Sequence, residues 1–132
     1  MEYQVLIDDN FHYAEPEHRS TGPQFATLEE AVTYCKRVVE DSLLHHYRLG
    51  MPAHELLTQY LLFGDDPFVY TGEGGVPFSA RAYAATWIRE VYGDWQWRTS
   101  SPDHPWLSWL TALLLAPVVE WRIRRRMRRP VG

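Results

Sequence analysis

Two carboxylates and an imidazole lie close together near the start of the chain, at Asp8, Asp9 and His12. Carboxylate oxygens and imidazole nitrogens bind divalent metal ions, and the same groups act as general acids and bases. The three residues are therefore a candidate metal site of a small metal-dependent enzyme. The alternative is a structural turn, in which Asp and Asn side chains bond to nearby backbone amides. The turn is favoured, because Asp8 and Asp9 point to opposite faces if the strand continues through them.

Further carboxylates and imidazoles follow at Glu40, Asp41, His45 and His46, late in a predicted helix. Asp41 and His45 are four residues apart, which makes them neighbours on one helix face. A protonated His45 would also be stabilised by the dipole at the helix C-terminus. A zinc site would need more ligands, and the chain has neither a paired-cysteine motif nor the helical two-histidine zinc motif. We interpret this group as a charged helix end.

A third group of carboxylates, Asp65 and Asp66, follows Gly64 and precedes Pro67. We interpret the segment as a helix-to-strand corner in which Gly64 forms a left-handed cap. Proline holds the residue before it in an extended conformation, which explains the segment without a ligand. An approach of Asp65 or Asp66 to Asp8 would instead create a cluster of carboxylates.

Neither a nucleotide site nor a nucleophile stands out. The glycine-rich run 72–75 lacks the lysine and hydroxyl residue of a phosphate-binding loop, so we interpret it as a flexible connection. The single cysteine, Cys35, lies on an apolar helical stripe and is interpreted as a core residue. It cannot form an internal disulfide, and residues 1–4 lack the features of a secretory signal, which favours a reducing, cytoplasmic setting. The sequence predicts no cofactor, and an enzyme is the less favoured interpretation.

The C-terminal part of the chain has a different character. Five of the six tryptophans follow residue 93: Trp95, Trp97, Trp106, Trp109 and Trp121. Residues 1–103 carry 16 acidic and 7 basic side chains, a net charge of −9, whereas residues 104–132 carry one glutamate and six arginines, a net charge of +5. An acidic body with a basic tail favours either a tail that folds back on the body or a tail that contacts an anionic partner.

We expect the tail, residues 106–129, to form a helix with large apolar side chains on one side and small or polar ones opposite. Pro117 predicts a kink or a restart of this helix. The predicted interaction residues are the large apolar side chains and the arginines that follow them: Trp106, Trp109, Leu110, Leu113, Trp121, Arg122, Arg124, Arg125 and Arg126.

Several partners suit such a tail. A hydrophobic groove on an unknown protein and an anionic membrane surface fit equally well. The alternative is that the helix packs on the sheet of its own domain, with the arginines on the acidic body. A spanning helix is disfavoured, because the apolar segment 105–121 is only 17 residues long and contains Glu120. Nucleic acid is also disfavoured, because the acidic body would repel phosphates.

Apolar periodicity predicts the elements that position these groups. Strands are expected at residues 3–7, 19–25 and 67–70. The first helix starts at a Thr27 capping box and ends before Gly50. Two more helices are predicted, from Pro52 to Gly64 and from Ser79 to Gly93.

The order β-β-α-α-β-α predicts an α+β fold, in which a small antiparallel sheet carries helices packed on one face and is followed by a C-terminal helical tail. We expect an α+β domain at 1–93, a linker at 94–105 and the apolar, then arginine-rich helical tail at 106–129. One core is expected, in which the first helix packs on the first strand and on the third helix: Leu28, Val32, Cys35, Val38, Val39, Val5, Ile7 and Trp87.

Two sequence blocks carry a resemblance, DDNFHY at residues 8–13 and FGDDPF at residues 63–68. With the helix start at 27–31 and the segment 77–79, they resemble a family of small uncharacterised bacterial proteins. The similarity covers about residues 3–92. It implies the fold and no activity, and the tail lies outside it.

The leading hypothesis is therefore a non-catalytic interaction module, whose body docks to a protein partner while the tail adds a hydrophobic and basic contact. One alternative is the metal-dependent enzyme that would use Asp8, Asp9 and His12. The other is a peripheral membrane protein anchored by its tail.

Overall fold

The computed structural model describes residues 2–12, 15–72 and 78–128. Its strands are β1 (Tyr3–Asp9), β2 (Ser20–Phe25) and β3 (Asp65–Tyr70), and its helices are α1 (Leu28–His46), α2 (Ala53–Phe63), α3 (Ala80–Tyr92), α4 (Asp94–Thr99) and α5 (Pro105–Met127). Two 3₁₀ turns, Asn10–His12 and Pro16–His18, lie between β1 and β2. The predicted α+β fold is confirmed. Most of the glycine-rich connection lies outside the described residues.

The three strands form an antiparallel sheet in the order β2-β1-β3. Val5 of β1 pairs with Val69 of β3, and both side chains are fully buried. α1 packs on this face through Ala31 and Cys35, which form a small core cluster with the two valines. The predicted alternation of residues 3–7 is confirmed, because Tyr3 and Ile7 pack against the same cluster as Val5.

The core is divided into two clusters rather than one. The second and larger cluster joins α1, α2, α3 and α5, and it contains Val39, Leu43 and Trp87. Val38 is half-buried outside both clusters, and Leu28 is 38% exposed. The prediction that both belong to a single core with Trp87 is therefore wrong. The physical reason is that consecutive helical residues lie about 100° apart, so α1 can turn Val39 inward only by turning Val38 aside.

Two glycines act differently from the prediction. α1 ends before Gly50, whose φ of +82° suits the tight turn that the Met51 N–H closes on the Arg48 carbonyl (3.0 Å). Gly64 directly follows α2, but its φ of −76° is extended and not left-handed. Glycine fits there because a Cβ atom would lie 2.5 Å from the ring of Tyr60.

The interval 94–105, expected to be a linker, contains helix α4. Gln96 of this helix is fully buried. Its side-chain carbonyl accepts the Ala53 N–H (3.2 Å), and its amide donates to the Thr111 hydroxyl (2.7 Å). Gln96 thus bridges α2 and α5, and these bonds allow a polar side chain to be buried.

Candidate functional site

α5 packs on the body through small side chains. Ser108, Ala112 and Ala116 are buried, and Val119 and Ile123 complete the buried stripe. The first three recur every four residues, which places them on one helix face. Val119 and Ile123 join the larger core cluster. The helix therefore packs on its own domain, as one alternative predicted. It packs on α3 and α4, whereas that alternative expected it on the sheet.

The opposite side of α5, which we call the outward face, carries large apolar side chains in contact with solvent. Its residues are Trp106, Leu107, Trp109, Leu110, Leu113, Leu114, Val118 and Trp121. Their exposed fractions run from 41% for Leu107 to 72% for Trp106 and Leu114. α5 continues through the exposed Pro117, so the helix does not restart there. Large contiguous apolar patches on a soluble protein mark interaction sites, and every predicted apolar interaction residue lies on this one.

Two of the predicted interaction arginines, Arg124 and Arg125, extend the outward face. The Arg124 side chain is 74% exposed and lies 3.5 Å from Glu120, one turn earlier. The guanidinium of Arg125 lies over the ring of Trp121, 5.2 Å from its centroid, in a cation–π arrangement. The exposed side of α5 thus changes from apolar to basic along the helix.

The other two predicted interaction arginines, Arg122 and Arg126, are turned toward the body. Arg122 donates to a backbone carbonyl of α3 (3.2 Å). Arg126 forms an ion pair with Glu90 and lies 4.0 Å from the carboxylate of Glu40, which is almost fully buried and also accepts the Tyr83 hydroxyl. A buried carboxylate needs a nearby cation and hydrogen bonds. These two arginines therefore hold α5 on the body, as the alternative with the arginines on the acidic body expects, and their role in an interaction stays a prediction.

Among the described residues, α5 is the one helix that is long and apolar enough to cross a membrane. It has 23 residues, and its most apolar window has a mean hydropathy of 1.2, with 28% of that window buried inside the protein. By length and composition alone, α5 is a weak candidate for membrane association.

Asp8 and Asp9 lie on opposite faces of β1, because the strand continues through both of them. Asp8 pairs with Arg19, whose Nε lies 2.6 Å from the Asp8 Oδ1. Asp9 accepts the Phe11 N–H (2.9 Å) and contacts Nδ1 of His12 (2.9 Å). The bond to His12 is the main cause that lowers the pKa of Asp9. The predicted site of Asp8, Asp9 and His12 is therefore not formed, because Asp8 is directed away from the other two.

The approach of Asp66 to Asp8, which the sequence left open, does occur. Asp66 is opposite Asp8 in the strand register, and Asp65 is opposite Asp9. Burial raises the pKa of both Asp65 and Asp66, and the facing carboxylate of β1 raises each of them further. Because successive residues of a strand alternate between faces, the result is two separate acid pairs on opposite sides of the sheet.

A cavity of about 400 Å³ lies between the end of α1 and the start of β3. It is lined by Asp41, Ser42, His45, His46, Phe63 and Asp65. The Ser42 hydroxyl accepts the Asp65 N–H (3.1 Å), and the Ser42 carbonyl contacts Nδ1 of His46 (2.8 Å). The cavity-lining acids and histidines do not form a three-ligand metal group within the ranges that the structure describes.

One three-ligand group does form in the described part of the chain, at His12, Glu15 and His18. Each residue offers a ligand atom, and these atoms lie within 4.8 Å of one another. The sequence prediction included His12 but missed Glu15 and His18. The missed signal is the spacing of three between the ligands. Two backbone hydrogen bonds bring them together, from the Glu15 N–H to the His12 carbonyl and from the His18 N–H to the Glu15 carbonyl.

Comparisons with known proteins identify no family. No protein-family model matches the chain, and searches of curated proteins and of solved structures found no match. The resemblance of residues 3–92 to small bacterial proteins therefore stays a prediction.

Proposed function

We propose that the protein is a non-catalytic attachment module that docks on an anionic membrane surface through the outward face of α5. The observation that carries the proposal is the arrangement of α5, whose small side chains face the body with Val119 and Ile123, while the eight large side chains of the outward face contact solvent. Burying one large apolar side chain contributes about 1.5–3 kcal/mol. For the outward face, that free energy is available only from a second surface.

The charge along α5 favours a lipid surface over a protein groove. No acidic residue lies between Trp106 and Val119, and the Glu120 that follows is paired with Arg124. Arg124 and Arg125 carry positive charge just beyond Trp121. Tryptophans suit the membrane–water boundary, and arginines next to them attract anionic headgroups.

A peripheral position agrees with the contacts of α5 better than a spanning one. A spanning helix would have to remove Val119 and Ile123 from the core cluster and leave Glu40 without Arg126. It would also break the hydrogen bond between Gln96 and Thr111. A helix lying in the membrane plane keeps all these contacts and buries only its outward face. The protein would then sit at the cytoplasmic surface of a membrane, where its acidic body can meet a protein partner.

Vesicle flotation with the full-length protein tests the proposal. We expect binding to vesicles of phosphatidylcholine and phosphatidylserine, and weaker binding to vesicles of phosphatidylcholine alone. Salt should weaken the binding to the anionic vesicles, because it screens the attraction between the arginines and the headgroups. Trp121→Ala should reduce binding about tenfold or more, since one large side chain is lost from the contact. Trp95→Ala is the matched control, because Trp95 is 55% exposed, like Trp121 at 53%, but lies on α4.

A protein partner is the main competing outcome. If the outward face docks into a protein, the full-length protein should ignore vesicles and self-associate, and Leu114→Ser should return it to a monomer. A protein that is monomeric and also ignores both kinds of vesicle would overturn the proposal.

A further inference from the structure

Three side chains with metal-binding atoms share one face of the segment between β1 and β2. The Glu15 N–H donates to the His12 carbonyl (3.1 Å), and the His18 N–H donates to the Glu15 carbonyl (3.0 Å). Each bond closes a tight turn, so the backbone brings His12 near Glu15 and Glu15 near His18. His12, Glu15 and His18 are therefore brought together by the backbone and not by chance surface crowding.

The distances within this group are close to those that one ion requires. The ligand atoms lie within 4.8 Å of one another, and Nε2 of His18 lies 3.5 Å from Oε2 of Glu15. Ligand atoms around a tetrahedral zinc ion lie about 3.4 Å apart, given bonds of about 2.1 Å. The His12 and His18 rings stack with centroids 3.8 Å apart, so binding requires the His18 ring to turn until its nitrogen converges with that of His12. The three side chains are at least partly exposed, which leaves room for that rotation.

Asp9 prepares His12 for this role. Its Oδ2 lies 2.9 Å from Nδ1 of His12, while its Oδ1 accepts the Phe11 N–H. Histidines that bind metals commonly donate the other ring N–H to a carboxylate, which fixes the ring and its tautomer. With Nδ1 facing Asp9, His12 keeps Nε2 as its metal-binding nitrogen.

The segment is also anchored to the body on the side of His12. The Asn10 backbone N–H donates to the Gly64 carbonyl (2.9 Å), and its side-chain amide donates to the Tyr60 carbonyl (2.9 Å). Phe11 stacks on Phe63, with ring centroids 5.7 Å apart. At the other end, Arg19 follows His18 directly and pairs with Asp8 of β1. Anchors at both ends reduce the ordering that metal binding would otherwise require.

We propose that His12, Glu15 and His18 bind one divalent transition-metal ion of the zinc class, with Asp9 as a positioning residue for His12. Two imidazoles and one carboxylate suit zinc and disfavour calcium and magnesium, which prefer oxygen ligands. Three protein ligands leave a fourth position for water. The site contains no residue of α5, so the tests of metal binding and of membrane docking are independent of each other.

Isothermal titration of the tag-free, full-length protein with ZnCl₂ tests the proposal. We expect saturable binding of one Zn²⁺ per chain, no comparable binding of Mg²⁺, and a tetrahedral absorption spectrum with Co²⁺. His12→Ala and His18→Ala should each abolish this binding. His104→Ala is the matched control, because His104 is an exposed histidine outside the group and should leave binding unchanged. Circular dichroism of the metal-free variants should match the wild type, because the replaced side chains belong to neither core cluster.

Asp9→Asn tests the positioning role. Removal of such a carboxylate partner weakens metal affinity by about 10–100-fold in known sites, and we expect a loss in that range without a change of stoichiometry. Unchanged affinity would overturn the role of Asp9. The site itself would be overturned by a wild-type protein that does not bind Zn²⁺, by binding that survives in both His12→Ala and His18→Ala, or by an equal loss in His104→Ala.

Discussion

α1 and α5 are the two longest helices of the described chain, and they use their apolar residues in opposite ways. α1 buries Val39 and Leu43 completely and exposes charged side chains such as Arg37. α5 buries Ala112 and exposes Leu114. The body alone accounts for the composition of α1. For α5 the body explains the small residues together with Val119 and Ile123, so the large exposed ones indicate a second surface.

The largest expected difference between the two helices comes from the same substitution made in each. Leu43→Ala in α1 should lower the free energy of unfolding by about 3 kcal/mol, because it leaves a cavity in the core. Leu114→Ala in α5 should change it by less than about 0.5 kcal/mol, because Leu114 is 72% exposed. Urea denaturation measures both. A large loss for Leu114→Ala would show that the outward face is packed inside the protein and would remove the contrast.

A smaller difference is expected between two arginines of α5. Arg126→Ala should destabilise the protein by about 2–3 kcal/mol, because buried Glu40 loses its cation. Arg124→Ala should cost less than about 0.5 kcal/mol, because its ion pair is exposed. Thermal denaturation of both variants checks the ranking, and Glu40→Gln added to Arg126→Ala should recover part of the loss. If Arg124→Ala and Arg126→Ala are equal, Arg126 does not hold α5 on the body.

The smallest expected difference concerns the helix starts. The Thr27 hydroxyl accepts the Glu30 N–H (3.2 Å) and caps α1, whereas His104 gives α5 no side-chain cap. Thr27→Ala should therefore lower the free energy of unfolding by about 1 kcal/mol. His104→Ser should raise it by about 0.5 kcal/mol or less, because serine can cap the helix. Chemical denaturation can resolve both changes. A cost for His104→Ser as large as that of Thr27→Ala would mean that the histidine has a role at this helix start.

Local sequence signals predicted most of the elements, because their causes are local. The Thr27 cap and the alternation of residues 3–7 each act within a few residues, and both are confirmed. Other features depend on distant contacts. Gln96 is buried only because Ala53 and Thr111 supply partners from two other helices. No sequence pattern within α4 indicates those partners, so the sequence predicts a linker at residues 94–105.

The candidate sites show the same limit. Most of the large residues of the outward face were predicted from the sequence, but the inward turn of Arg126 depends on Glu40, which is far away in the chain. The group at His12, Glu15 and His18 was missed for a different reason. Its side chains meet because the His12 and Glu15 carbonyls accept the Glu15 and His18 N–H groups, and a polar segment with Pro16 does not reveal those turns.

The depth of the α5 tryptophans in a membrane is the most direct evidence for or against docking through the outward face. The measurement is quenching of tryptophan fluorescence by anionic vesicles whose acyl chains are brominated. We expect strong quenching of the wild-type protein and its loss when Trp106, Trp109 and Trp121 are replaced together by Phe. Of the tryptophans that remain, Trp87 is fully buried, and Trp95 and Trp97 lie on α4, outside the outward face. Absence of quenching in the wild type, or equal quenching in the triple variant, would contradict docking through the outward face.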